Sequence, residues 1–148
     1  MKKISIYTDG GSRGNPGKAA AGVVFCNEKK EVVKKFGKYL GDNVTNNEAE
    51  YSAAIMGLEK FKSTFGKLLA KSAEIDLYTD SELLVNQVKG RYKIENEKLI
   101  PLFLKFWNLR IDFKKVRVNY ISRNGNKEAD AMVNETLDEE ERKQNLFN

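Results

Sequence analysis

Histidine is absent from this 148-residue chain, and cysteine occurs once, at Cys26. An internal disulfide is therefore impossible. The zinc sites built from Cys and His, histidine-based triads and histidine general bases are all excluded. Metal chemistry, if present, must use hard oxygen ligands, which favour Mg²⁺, Mn²⁺ or Ca²⁺. No apolar run approaches the roughly 20 residues needed to cross a bilayer, so no membrane association is expected. Met1-Lys2-Lys3 enters a strand pattern directly, without the apolar core and small-residue cleavage site of a signal peptide, and the expected location is cytoplasmic.

Hydrophobic residues make up 41% of the chain and charged residues 32%. At this length the composition predicts one soluble domain spanning residues 1–148 with a well-filled core. The formal net charge of +5 is compatible with a phosphate-bearing partner such as nucleic acid. Nothing in the pattern demands a protein partner or more than a monomer.

Alternating apolar residues predict strands over 3–9, 20–26 and 32–40, with a Gly- and Pro-containing turn from Gly10 to Lys18 and a polar hairpin turn at Asn27–Lys30. Thr45, with Glu48 three residues on, forms a capping-box pattern. The helix it opens carries Ala54, Ile55, Leu58, Phe61 and Phe65 at helical spacing. A fourth strand is predicted over 73–79, and a helix capped by Asp80-Ser81 buries Leu84, Val85 and Val88. Another helix spans Leu99 to Leu109, where Phe103, Phe106 and Trp107 are expected in the core. Val116, Val118 and Tyr120 alternate as a fifth strand. A last helix from about Asn126 buries Ala129, Met132, Val133 and Leu137. The core is placed at about 3–137, and 138–148 reads as a solvated tail fraying from Gln144. The order βββαβααβα predicts an α/β fold, with a five-stranded mixed sheet made of an antiparallel meander and crossover units, flanked by helices.

Four carboxylates stand in settings that invite chemistry. Asp9 ends the first apolar strand pattern and Asp80 follows another, while Glu50 lies in the first turn of a helix and Asp130 beside an apolar stripe. Partly desolvated carboxylates that converge repel one another unless a cation neutralises them. Each also has a plainer reading: Asp80 as a helix cap, Glu50 as a dipole-favourable first-turn residue, Asp130 as a solvated helix side.

The strings around these residues narrow the choice. They are Tyr7-Thr8-Asp9-Gly10-Gly11-Ser12-Arg13-Gly14-Asn15-Pro16-Gly17, Thr45-Asn46-Asn47-Glu48-Ala49-Glu50-Tyr51, Tyr78-Thr79-Asp80-Ser81 and Asn126-Lys127-Glu128-Ala129-Asp130. In this order and spacing the chain resembles the type 1 ribonuclease H family over about residues 3–137. The resemblance implies a ribonuclease H-like fold and an endonuclease that cuts the RNA strand of RNA–DNA hybrids, leaving 3′-hydroxyl and 5′-phosphate ends. It implies two Mg²⁺ ions, replaceable by Mn²⁺, held by Asp9, Glu50, Asp80 and Asp130, with Asp9 bridging. Alignment on Thr-Asn-Asn assigns the metal role to Glu50 and leaves Glu48 to the cap. Gly10, Gly11, Ser12, Asn15, Thr45, Asn46 and Asn47 are the implied hybrid-binding residues. Their small size and short polar groups suit 2′-hydroxyls and minor-groove edges.

Two departures from the family pattern stand out. Many members carry a histidine in the loop before the last aspartate; this chain has Ser122-Arg123-Asn124-Gly125 there, and Arg123 is the candidate to contact the scissile phosphate or product electrostatically. The basic helical protrusion of some relatives is also missing. Lys89, Arg91, Tyr92 and Lys93 remain either as DNA-backbone contacts or as an exposed connection. Alternative readings are a hybrid-binding module impaired in catalysis, and a ribonuclease H-like nuclease that also acts on double-stranded RNA.

Overall fold

The computed structural model describes residues 3–147. Strands β1 (Lys3–Gly14), β2 (Gly17–Cys26) and β3 (Val32–Val44) form an antiparallel meander. Helices α1 (Asn46–Phe65) and α2 (Lys67–Ser72) lead to β4 (Glu74–Thr79), which pairs parallel with β1. Helices α3 (Glu82–Val88) and α4 (Ile100–Leu109) lead to β5 (Lys115–Tyr120), parallel to β4, and α5 (Lys127–Leu146) closes the fold. The sheet order is β3-β2-β1-β4-β5.

Side-chain alternation assigns the two faces of the sheet. Ile4 and Ile6 of β1, Val23 and Phe25 of β2, and Ile75 and Leu77 of β4 pack in the main core with Leu58 and Phe61 of α1, Leu84 of α3 and Phe106 of α4. On the opposite face Ala20 and Val24 meet Ala129, Val133 and Leu137 of α5. Because β2 is covered on both faces, its sequence runs apolar instead of alternating, and eight consecutive residues from Ala19 to Cys26 are buried.

Four expectations need correction. The first strand does not stop at Asp9 but continues to Gly14, so the turn shrinks to Asn15-Pro16. Gly10 is there for close approach, not for bending: a Cβ on it would lie 2.2 Å from both the carbonyl carbon and oxygen of Ala49. Helix α2 was not anticipated, because its six residues are too few to show a helical period. Trp107 is 37% exposed, stacked on Phe103 with the Arg110 guanidinium over its ring, 3.5 Å from the centroid, while Phe106 alone of that trio is fully buried. Finally, α5 does not fray at Gln144 but stays helical to Leu146.

Candidate active site

Tyr7 of β1 lies opposite Tyr78 of β4, and their rings stack with centroids 4.9 Å apart. Two residues further along each strand the alternation returns to the same face. Asp9, within β1, and Asp80, just past the end of β4, therefore stand side by side. Here β4 runs on to α3 while β1 continues toward its turn into β2, a divergence of the kind at which α/β sheets form binding crevices. Asp80 is not needed as a helix cap. Ser81 caps α3, its side chain accepting from Leu84 N at 3.1 Å.

Helix α1 brings the third carboxylate. Thr45 Oγ1 accepts from Glu48 N at 3.2 Å and Glu48 Oε1 accepts from Thr45 N at 3.1 Å, a complete capping box. Glu48 is thus held at the helix start, and Glu50 is the acidic residue that turns toward β1. Its Oε1 accepts from Gly10 N at 2.6 Å. One carboxylate oxygen each from Asp9, Glu50 and Asp80 lies within 4.8 Å of the other two. Asp9 and Glu50 are buried, at 7% and 8% exposure.

Asp130 is the exception among the four: it is exposed on the first turn of α5, not desolvated beside an apolar stripe. Its charge still acts on Asp9, raising that carboxyl's pKa. All four line one open depression of about 380 Å³, together with Ser12 and Arg123.

Burial, then the charges of Asp80 and Asp130, raise Asp9 from 3.8 to about 8. Burial and the charges of Asp9 and Asp80 likewise push Glu50 well above the carboxylate range. The protein alone cannot hold this cluster fully ionised near neutral pH. The donor set is entirely carboxylate oxygen, which fits a divalent hard cation.

A pH dependence follows. An unfolded aspartate releases its proton near 3.8, whereas Asp9 in the folded, metal-free protein keeps it to about 8. Between those values the folded state holds more protons than the unfolded chain, so this group's contribution makes stability fall as pH rises through that window. Thermal melts of metal-free protein between about pH 5 and about pH 8 should show the fall, and saturating Mg²⁺ should stabilise more at the upper end. A Mg²⁺-induced Tm shift that is the same at both pH values would contradict this account of the cluster.

The proposed substrate residues form a second assembly beside the carboxylates. Ser12 N donates to Asn46 Oδ1 at 2.9 Å, and Asn46 N donates to Asn15 Oδ1 at 3.0 Å, locking the β1–β2 hairpin onto the start of α1. Gly10 and Gly11 border the same depression. Asn15, Asn46 and Asn47 are exposed. The Thr45 hydroxyl is engaged in the cap, donating to Glu48 Oε1 at 3.0 Å.

Sequence reasoning assigned no role to Asn126, yet it is 1% exposed and its Nδ2 donates to the carbonyl of Thr8 at 2.9 Å. That bond ties the start of α5, and hence Asp130, to the residue before Asp9. The available signal was its place at the head of the Asn-Lys-Glu-Ala-Asp string.

Residues 7–136 match the model of the family described as Reverse transcriptase-like. Ribonuclease HI of Halobacterium salinarum is 34% identical over 137 residues, covering 93% of this chain and 65% of that protein. The crystal structure of RNase H1 from the same organism has a TM-score of 0.84, covering 93% of this chain and 98% of that one. The crystal structure of LC11-RNase H1 in complex with an RNA/DNA hybrid has a TM-score of 0.86 at 39% identity, covering 92% and 97% of the two chains. The chain belongs to the type 1 ribonuclease H family. The bifunctional protein Rv2228c of Mycobacterium tuberculosis is 35% identical over 136 residues, which is 92% of this chain but only 36% of that protein. Within the ribonuclease H frame, α3 connects to α4 through residues 89–99 without a helix, and Lys89, Arg91, Tyr92 and Lys93 are exposed on that connection. No helix among the described residues is long and apolar enough to cross a membrane.

Proposed function

We propose that the chain is an endonuclease that hydrolyses the RNA strand of RNA–DNA hybrids to give 3′-hydroxyl and 5′-phosphate ends. The observation that carries this reading is the convergence of Asp9, Glu50 and Asp80 within 4.8 Å, beside an interlocked polar hairpin. Asp9, Glu50, Asp80 and Asp130 would hold two divalent ions, Mg²⁺ with Mn²⁺ able to substitute. When bound, such ions supply an activated water and charge stabilisation at the leaving oxygen. The convergence of Glu50 and Asp80 on Asp9 supports the reading that Asp9 would be the ligand the two ions share.

The chain's own groups divide the remaining work. Glu50 is fixed by its bond to Gly10 N, so its carboxylate is preorganised and does not have to be ordered during turnover. Ser12, Asn15, Asn46 and Asn47 present short donors and acceptors that match ribose 2′-hydroxyls and base edges, the chemistry that separates RNA from DNA. Gly10 and Gly11 let main chain approach the sugar-phosphate strand. Thr45 caps the start of α1 and is the residue proposed to help hold a DNA phosphate.

Arg123 lines the depression and is exposed, and it stands in the loop before Asp130, where the family resemblance implies a histidine. It cannot shuttle a proton near neutral pH, so its role is electrostatic, on the scissile phosphate or the departing product. Arg123→Ala should lower kcat about tenfold or more, measured under saturating hybrid. Unchanged turnover would remove Arg123 from the site.

The reading as a whole is tested by giving the protein and Mg²⁺ an end-labelled RNA–DNA hybrid, with duplex RNA and single-stranded RNA in parallel. Cutting confined to the RNA strand of the hybrid, with 5′-phosphate products, is the expected result. Equal cutting of duplex RNA would replace it with a broader ribonuclease H-like specificity. Binding without cutting would replace it with a hybrid-binding module.

A further inference from the structure

The C-terminal half of α5 is strongly polar, yet it remains helical and makes directed contacts to the far end of the sheet. Arg13, near the tip of β1, forks across it: Nη1 lies 2.8 Å from Glu141 Oε1 and Nη2 lies 2.8 Å from Asp138 Oδ1. Nη2 also donates to Asn134 Oδ1 at 3.4 Å. Lys18, the residue directly opposite Arg13 on β2, donates through Nζ to Gln144 Oε1. Both strands of the hairpin are therefore tied to the helix at one rung.

We propose that residues 134–144 of α5 are a positioning element that holds the β1–β2 hairpin in its substrate-receiving pose, with Arg13 as the principal tie. The inference rests on the function proposed above. Two facts make positioning the natural role. First, the ties bracket the hairpin from both sides. Arg13 and Lys18 bind it to α5, while Ser12 and Asn15 bind it to Asn46 of α1. Second, the helix that grips the hairpin also carries Asp130, and Asn134 joins the two: its Nδ2 donates to the Asp130 carbonyl at 3.1 Å and to Oδ2 at 3.4 Å. The distance between substrate-contacting loop and carboxylate cluster is thereby set through one rigid helix.

Among the described residues, the hairpin's only strand neighbour beyond Ala19 is β3, paired at Gly17 with Val44, and β4 flanks β1 only as far as Tyr7. A two-stranded tip with so little sheet beside it is marginally ordered. Ordering it only when substrate arrives subtracts from binding. A single exposed ion pair does little to prevent that. A planar guanidinium bridging two carboxylates fixes orientation as well as distance, which is the property a positioning contact needs. Arg13 does not touch the carboxylate cluster through any hydrogen bond of its own, so its loss should act on substrate capture and not on the chemical step.

The test uses Arg13→Ala, the pair Asp138→Ala with Glu141→Ala, and a charge-reversed triple, Arg13→Glu with Asp138→Arg and Glu141→Lys. Hybrid-cleavage kinetics and amide hydrogen exchange across residues 11–18 are read in each. Arg13→Ala and the acidic pair should each raise KM about fivefold, leave kcat within about twofold, and speed exchange in the hairpin while leaving β4 protected. The triple should recover most of the KM loss, a rescue that removal of a merely stabilising surface charge would not give. Unchanged hairpin exchange in Arg13→Ala would overturn the proposal, as would equal losses in kcat and KM accompanied by faster exchange in β4. If the wild-type protein cuts no hybrid, the functional reading fails, and the exchange data still decide whether α5 holds the hairpin.

Discussion

Asp80→Asn should abolish hybrid cleavage while leaving the fold intact and raising the melting temperature of the metal-free protein. Asp80 sits at the end of β4, partly exposed, and contributes one of the three oxygens that lie within 4.8 Å of one another. Neither helix α3 nor the strand depends on its charge, since Ser81 provides the cap and Ser81 N donates to Thr79 Oγ1 at 3.1 Å. Its removal therefore deletes a proposed metal ligand and a repulsive charge, with little structural loss. A metal centre supplies several kcal/mol of charge stabilisation to the transition state, so activity should drop by about 10³-fold or more. In the absence of metal, Asp9 and Glu50, both held high by burial first and by Asp80 among the neighbouring charges, lose their repulsion with Asp80. The apo variant should melt a few degrees higher, about 2–4 °C for each kcal/mol gained in a domain of this size. Activity within tenfold of wild type, or a melting temperature well below it, would mean that Asp80 has been given the wrong role.

Gly10→Ala should damage stability and activity together. A methyl group at this position would lie 2.2 Å from the carbonyl carbon and oxygen of Ala49 and 2.5 Å from Glu50 N. These are backbone atoms of α1, so no side-chain rotation relieves the clash, and the helix must move away from β1. The same displacement breaks the 2.6 Å bond from Gly10 N to Glu50 Oε1 and takes Glu50 away from Asp9 and Asp80. Overpacking of this severity costs about 3 kcal/mol, or roughly 6–12 °C in melting temperature. Misplacing a catalytic group by about 1 Å can remove 10²-fold in rate. Gly11→Ala is the control, because its added methyl would meet only Val133 Cγ1, at 3.3 Å. Thermal melts of the two variants decide the matter. If Gly10→Ala melts within about 2 °C of wild type, the close β1–α1 contact is not a constraint on the fold.

The contrast between these two glycines shows where reading from sequence alone reached its limit. Apolar alternation revealed the strands, and helical spacing revealed α1, α3, α4 and the first half of α5, because those patterns are imposed by burial against the sheet. A paired glycine, however, signals a turn and a close backbone approach equally well. Only the position of Ala49 above β1 separates the two, and that separation spans about 40 residues of sequence. The second half of α5 failed for the opposite reason. Asp138–Lys143 has no apolar period, and its helix is supported by Arg13 and Lys18 from the first strands of the chain. Trp107 carries helical spacing but lies on the outer side of α4, where spacing alone does not reveal which residues face the core.

The site was legible to a similar depth. Asp9 and Asp80 announce themselves by ending strand patterns, and the Thr45–Glu48 capping box removes Glu48 from competition with Glu50. Proximity itself was not legible: parallel pairing of β1 with β4, in a register that places Tyr7 opposite Tyr78, is what makes Asp9 and Asp80 neighbours. Asp130 was expected to be partly desolvated and is exposed, since on the first turn of α5 it is the neighbouring Ala129 that packs against the sheet. Beyond its place at the head of the Asn-Lys-Glu-Ala-Asp string, Asn126 did not reveal its buried bond to Thr8, because an asparagine before a helix is ordinarily a cap, and here its side chain makes no capping bond.

The most direct measurement is cleavage of a hybrid by wild-type protein stripped of metal with EDTA and then resupplied with Mg²⁺. The carboxylate cluster predicts no cutting in the stripped state and full recovery with Mg²⁺, confined to the RNA strand. Cutting that persists in EDTA, or that falls on the DNA strand, would contradict the assignment of Asp9, Glu50, Asp80 and Asp130 as a metal-dependent ribonuclease site.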